Sequence, residues 1–522
     1  MSTGRIFARR CSSRAHGLTQ APFYTLAHRL LGIVQRQGLR NTIISYCGLA
    51  LGFVNTAFLL PSLLAPAQLG LTTLLVSIAT IYAQFSAFGF ASVGIRFFPY
   101  FRNPAAGHHG FLPFLLGLPM VGLVLSTALY LLGKPLILAQ YEPQDVAMLT
   151  PFYGWVSLLA LFTLLYSLQD AYLKGLYHTA FSSFLQDIVL RVLIAGLALL
   201  YGKGVVEFHE FVLGYIGLYG AISLLLTGYL AYIGELHLRP TRAALRVRPV
   251  GEIVRFGGFA LLSSLSGSIL GFIDSWMVGA QISLAAAGVY GIAYNISTAL
   301  TIPARSLNKI AFPLLAQYWK DQDLPRMADF YRDTTRLNTI LGCYLALGIG
   351  LNLDFIYSLI KNPVYATGTT AVLLLLAGRL FDGITGVNGL IVVTSPRYRY
   401  DLVFNLSLAG CTVLLNRLLI ARLGITGSAL ATLVAIVSIN TVRTWFVWYS
   451  YRLQPFTWRI PLILLVAAGS GLLVWLLPAL PSKLLTMLLR GTLLTALYGG
   501  ALLLLGLVPE AQPLLRKVLR RG

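Results

Sequence analysis

Residues 371–396 read AVLLLLAGRLFDGITGVNGLIVVTSP. Most of this stretch suits hydrocarbon and is long enough to cross a bilayer as a helix. Arg379 and Asp382 nevertheless sit in its middle. An ionised side chain at that depth is costly unless it meets a partner or a wet cavity. A helical step of three puts the two on one side, with Gly378, Thr385, Gly386 and Gly389. Leu380, Ile384, Val387 and Ile391 occupy the other side. The spacing therefore predicts a membrane helix whose small, polar face looks into a helix bundle, with Asp382 either neutralising Arg379 permanently or releasing it.

The rest of the chain repeats the pattern without the charges. Its 522 residues are 57% hydrophobic and only 11% charged, whereas a soluble chain carries about 25% charged residues. Long apolar runs recur, so the expected class is an all-α, polytopic membrane protein with about 14 transmembrane helices. The expected spans are 41–64, 70–95, 111–132, 150–170, 179–200, 210–233, 254–279, 286–304, 337–358, 367–393, 401–421, 427–449, 460–477 and 484–507. Lys and Arg alternate with these spans. Arg96, Arg102, Arg239, Arg242, Arg246, Arg248, Arg255 and the tail Arg516, Lys517, Arg520 and Arg521 fall on one side. Lys134, Lys203, Lys361, Arg422 and Lys483 fall on the other. The positive-inside rule then puts both termini in the cytoplasm. The net charge of +22 is thus a matter of orientation and not of nucleic-acid binding.

Two stretches echo each other. LAPAQLGLTTLLVSIATIYAQFSAFGFASVGIRFFP covers the second span and LAAAGVYGIAYNISTALTIPARSLNKIAFP the eighth. Each starts with small residues before a glycine (Gly70, Gly288) and ends on a basic residue and a Phe–Pro pair. The fourth and tenth spans likewise place Asp170 and Asp382 late. The expected architecture is two six-helix lobes related by a parallel pseudo-two-fold repeat, with two extra C-terminal helices and a substrate path at the lobe interface. The expected divisions are a cytoplasmic extension 1–32, an N-lobe 33–233, a basic linker 234–253, a C-lobe 254–450, and the last two spans with a basic tail over 451–522. The connection 313–336 is charged and amphipathic and reads as a solvated linker, with an interfacial helix as the alternative.

Polar residues step along single faces of four spans: Asn41, Ser45, Gly48, Gly52 and Asn55 in the first; Thr73, Ser77, Thr80 and Gln84 in the second; Ser263, Gly267, Gly271 and Asp274 in the seventh; the Arg379–Asp382 face in the tenth. Small residues also let membrane helices approach closely, but the ionisable ones need water or a partner. Asp187 and Arg191, four apart in the fifth span, can pair on one face. Arg96 and Arg305 end matching spans and can anchor the helices or draw an anion into a basic vestibule. Arg417 and Arg490 can snorkel.

The exclusions are equally informative. The four cysteines are scattered, no Cys/His cluster has metal-ligand spacing, and there is no Walker A sequence, so neither a metal nor a nucleotide cofactor is expected. The loops on the outer side are short, which leaves no room for an outer catalytic domain.

The stretches GIVQRQGLRNTIISYCGLALGFVNTAFLLP, LGLTTLLVSIATIYAQFSAFGFASVGIRFFPYF, IDSWMVGAQISLAAAGVYGIAYNI, GRLFDGITGVNGLIVVTSPRYRYD and LNRLLIARLGITGSALAT resemble oligosaccharide flippases of the O-antigen (Wzx) type, in the multidrug/oligosaccharidyl-lipid/polysaccharide exporter superfamily. The resemblance runs from about residue 33 to 451. It implies a V-shaped fold that carries an undecaprenyl-pyrophosphate-linked oligosaccharide from the cytoplasmic to the outer leaflet of a bacterial inner membrane, beside a polysaccharide polymerase and a chain-length regulator. It implies that Arg96, Arg305, Arg379 and Arg191 are candidates to hold the pyrophosphate. Asp274, Asp382 and Asp187 are candidates for proton or sodium coupling, and Asn55, Gln84, Asn295 and Asn388 for lining the cavity. Two other functions compete: a cation-coupled drug antiporter of the same superfamily, and a membrane polymerase or glycosyltransferase. Intramembrane arginines disfavour the first, since like charges repel. Short, nearly uncharged outer loops disfavour the second.

Overall fold

The computed structural model describes residues 44, 46–176, 178–241, 249–360 and 362–508. The extension 1–32, Asn41, Ser45, Lys361, the linker residues Arg242, Arg246 and Arg248, and the basic tail lie outside them, as do the side chains of Ser263, Gly267 and Gly271. The described residues form helices joined by turns, with no strand among them.

In the first half, α1 (Tyr46–Leu63), α2 (Pro66–Ala87), α3 (Phe90–Phe101), α4 (Phe111–Leu132), α5 (Trp155–Gly175), α6 (Thr179–Gly202) and α7 (Phe208–Tyr232) pack side by side. In the second half follow α8 (Val250–Gln281), α9 (Leu284–Thr298), α10 (Ile302–Asp321), α11 (Leu324–Gly350), α12 (Thr369–Ile384), α13 (Asn388–Thr394), α14 (Arg399–Tyr451), α15 (Arg459–Trp475) and α16 (Lys483–Leu504). Nine helices among the described residues are long and apolar enough to cross a membrane. Their outward faces carry Leu129, Leu132, Leu224 and Leu504, all exposed, as a hydrocarbon solvent allows and water does not. The other expected spans also fall on helices. The turn Ala299–Thr301 shortens α9, and α11 begins with a charged stretch.

Three breaks shape the bundle. Phe88 and Gly89 adopt left-handed backbone (φ 47° and 72°), so the expected second span is two helices at an angle. Gly424 (φ 57°, ψ −136°) interrupts α14. A Cβ on Gly427 would overlap the Leu419 carbonyl, so the chain reverses there and α14 is a hairpin of two arms. The connection expected as a linker, 313–336, is instead helical. α10 ends at a left-handed Gln322, and α11 restarts two residues later with Asp323 accepting from the Arg326 amide at 3.1 Å. That side-chain cap satisfies a helix-start donor that a linker would have left to water.

The halves meet at both ends of the bundle. At the end away from residues 234–241, here the far end, the two echoing glycines lie against each other. A Cβ on Gly70 would overlap the Leu284 carbonyl, and one on Gly288 the Pro66 carbonyl. Such close backbone approach is what small residues contribute between membrane helices. Gly70→Val is expected to wedge α2 away from α9 and open the far end. Spin labels at Ala67 and Ala285 would then move apart, and an unchanged distance distribution would contradict this contact. At the linker end, a Cβ on Gly89 would overlap the Gly257 carbonyl, and the Arg96 guanidinium lies 4.3 Å from the centre of the Phe256 ring. The described start of the linker, residues 234–241, is itself held down. His108 Nε2 and Glu235 Oε2 are 2.8 Å apart, and Thr241 donates to the His109 carbonyl at 2.6 Å.

Candidate functional site: a cavity between the two halves

A cavity of about 380 Å³ lies between these two closures. It is walled by Gly52, Asn55 and Thr56 of α1, Asp187 and Arg191 of α6, Tyr215 and Tyr219 of α7, and Asn295 and Thr298 of α9. Both α1 and α6 carry a widened π-helical turn here, at Asn55–Leu59 and Leu185–Val189. Such turns displace backbone from the regular ladder and often mark functional positions. Asn55 Nδ2 donates to the Arg191 carbonyl at 2.7 Å, tying α1 to α6 beside these turns.

Arg191 is the cation of this cavity wall. Its Nη1 donates to the Gly48 carbonyl, and its Nη2 stands 4.0 Å from Asp187 Oδ1. The expected ion pair is thus present but loose. The guanidinium lies so close to α1 that a Cβ on Gly52 would overlap it. The sequence stripe Gly48–Gly52–Asn55 is therefore the bed of an arginine from α6. Tyr215 and Tyr219, with ring centres 5.7 Å apart, supply an aromatic wall that the sequence reading did not single out.

A second polar system fills the second half. Asp274 is 4% exposed and accepts three hydrogen bonds: from Tyr290 at 2.9 Å, Asn416 at 2.6 Å and Thr432 at 2.6 Å. Those donors come from α9 and both arms of α14. Arg379 and Asp382 do not pair: no ion pair or hydrogen bond joins them among the described residues. Asp382 accepts from Asn440 at 2.9 Å, while the Arg379 guanidinium lies 5.2 Å from the Tyr294 ring centre. Asn388 donates to Asn440 and Thr444, at 3.1 Å each. Arg443 donates to Asn405 at 2.6 Å and Asp401 at 3.3 Å. This half-buried ion pair was not foreseen, although Arg443 lies inside an expected span.

The sequence candidates are thus distributed as follows. Asn55, Asn295, Arg191 and Asp187 line the cavity. Arg379 stands behind its wall, against Tyr294, the neighbour of Asn295. Asp274, Asp382 and Asn388 belong to the second-half network. Arg96 and Arg305 are exposed, Gln84 is half-buried on α2, and none of the three borders the cavity.

The far-end closure has a polar element of its own. Asp145, on the short helix Pro143–Leu149 of the first half, is buried and accepts the Leu284 amide of α9 at 2.8 Å. It caps the positive end of a second-half helix. Burial pushes the Asp145 carboxyl above the usual carboxylate range. The Leu284 amide pulls it back, and neighbouring Glu142 adds to the rise. The closed end therefore binds the proton more tightly than an open end in which the carboxyl is wet. Closure is favoured in full at acid pH, and that contribution is lost as pH rises through the raised pKa. Acidification should shorten the Ala67–Ala285 label distance, and Asp145→Asn should flatten the response. A profile identical in both proteins would refute the assignment.

A family model described as "Polysaccharide biosynthesis protein" matches residues 59–360. No curated protein matches the chain by sequence. Among solved structures, the lipid II flippase MurJ in an inward closed conformation superposes with a TM-score of 0.71 at 12% identity, over 88% of this chain and 98% of that one. An inward-facing multidrug resistance transporter of the MATE family, in the MOP superfamily, gives 0.61 at 15% identity, over 77% and 94%. The MATE transporter VcmN of Vibrio cholerae gives 0.52 at 13% identity, over 80% and 98%. At these identities the likeness is one of fold.

Proposed function

The chain belongs to the polysaccharide biosynthesis protein family, and from that premise we propose that it flips lipid-linked oligosaccharides. The substrate is an undecaprenyl-diphosphate-linked repeat unit of a surface polysaccharide such as O-antigen. It moves from the cytoplasmic to the outer leaflet of a bacterial inner membrane by alternating access, through fourteen passes with both termini cytoplasmic. The fold shared with flippases and transporters supports carriage over catalysis. The observation that carries the reading is Arg191 on the wall of a cavity between the halves.

A diphosphate entering that cavity meets a guanidinium held by a backbone carbonyl and a carboxylate 4.0 Å away. Charge-assisted, bidentate contacts to phosphate are stronger than either, so the anion displaces them at little cost. The Tyr215–Tyr219 wall and Asn55 and Asn295 offer stacking and hydrogen bonds to the sugars. Export carries negative charge toward the positive side of the membrane, which gains about 2.3 kcal/mol per charge per 100 mV. Asp274 is the coupling group in this reading, exchanging a proton or sodium ion. Its cage supports that role, because the Asn416 Oδ1 beside it is buried without a hydrogen-bond partner.

The antiporter reading rests on Asp187, which shares the cavity and could receive an organic cation. The two readings diverge under mutation. Asp187→Asn should leave diphosphate-lipid flipping intact or raise it, and it would abolish transport in an antiporter. A deletion strain should accumulate lipid-linked saccharide on the inner leaflet. Shortened polysaccharide with unimpaired flipping would assign the chain to polymerisation instead.

A further inference from the structure

At the linker end, the connection before α14 lies beside the end of α14's second arm. Arg397 Nη1 donates to Ser450 Oγ at 3.0 Å, and its guanidinium lies 6.0 Å from the Tyr451 ring centre. Arg452, whose left-handed backbone (φ 57°) ends α14, rests over Trp448 at 5.3 Å. Arg399 opens α14 and Arg459 opens α15. Arg397, Arg399 and Arg452 are exposed and Arg459 is half-buried. Among the described residues none of the four has an ion-paired carboxylate. The acid nearest in sequence, Asp401, is taken by Arg443.

Aromatic side chains surround these charges. Trp445, Trp448, Trp458 and Tyr449 are exposed, and Trp319 packs on Tyr451 with ring centres 4.6 Å apart. Four of the chain's seven tryptophans thus stand at one corner, which sets it apart from an even girdle around the bundle. Exposed indoles favour the headgroup level of a bilayer, where one edge is apolar and the other wet. Basic groups at that level attract anionic lipid. The corner does not border the cavity, whose wall comes from α1, α6, α7 and α9.

We propose that this corner is a docking surface for anionic phospholipid headgroups of the leaflet at the linker end. The arginines hold the phosphate and the indoles seat beside the glycerol backbone. The inference rests on the chain spanning a bilayer and not on what it carries.

The test is quenching of tryptophan fluorescence by dibrominated phosphatidylglycerol or dibrominated phosphatidylcholine, in mixed micelles with the full chain. Wild type should reach half-maximal quenching at a roughly tenfold lower mole fraction of phosphatidylglycerol than of phosphatidylcholine, as expected of several arginines acting together. R397Q/R452Q/R459Q should erase that preference, and R397K/R452K/R459K should keep most of it. If the triple Gln variant does not elute as a monodisperse species, R452Q alone should reduce the preference. Added salt should weaken it too. Equal quenching by both lipids in wild type, or an undiminished preference in the Gln variants, would overturn the proposal. So would competition by millimolar glycerol 3-phosphate, which would show a site for free phosphate.

Discussion

Arg191→Gln is expected to slow flipping of a diphosphate-linked saccharide by roughly 10- to 100-fold. The estimate takes the loss of one charge-assisted contact as about 1.5–3 kcal/mol. The variant should still fold, because Gln can donate to the Gly48 carbonyl that now accepts from Arg191 Nη1. Arg191→Lys should recover part of the rate, since it keeps the charge and loses the fork. The assay is protection of the saccharide from an impermeant reagent in proteoliposomes, with thermal stability measured alongside. Wild-type rates in a stable R191Q protein would remove Arg191 from the substrate path.

Asp274→Ala should have the largest effect on the protein itself. It would leave Tyr290, Asn416 and Thr432 as buried donors without their acceptor, at about 1–3 kcal/mol each. A drop in thermal midpoint with loss of transport is the expected outcome. Asp274→Asn preserves the shape and removes the charge, so it separates the structural role from the coupling role. It should hold the fold while transport loses its dependence on the imposed ion gradient. A D274N protein that responds to sodium and proton gradients as wild type does would eliminate Asp274 as the coupling group.

Where partners are close in sequence, the site was legible. Asp187 and Arg191, four apart, were expected to share a face and do so at 4.0 Å. The glycines Gly70 and Gly288 stood out because the sequence around them echoes, and the structure lays them on each other. The helical, membrane-spanning class followed from apolar run length alone. Partners far apart in sequence were not legible. Asp382 and Arg379 looked like each other's neutraliser at a step of three. The acceptor that holds Asp382 is Asn440, 58 residues away, and Arg379 turns to Tyr294. Asn416 and Thr432 reach Asp274 from 142 and 158 residues away. Lone Asn and Arg residues inside apolar runs, such as Asn416, Asn440 and Arg443, are the signal that could have pointed to these clusters, because each costs free energy unless it is matched. The widened turns at Asn55 and Leu185 carry no sequence mark, and the linker expected over 313–336 became helix through the Asp323 cap.

The central claim is that the cavity carries a lipid-linked diphosphate saccharide across the membrane. The direct measurement is flipping by the purified protein in proteoliposomes under an imposed inside-negative potential. A polyprenyl-diphosphate oligosaccharide is placed in the inner leaflet, and its saccharide is followed as it becomes reactive to an impermeant oxidant outside. The expected result is time-dependent exposure that R191Q suppresses and that a collapsed potential slows. Exposure no faster than in protein-free liposomes would contradict the claim, as would equal transfer by wild type and R191Q.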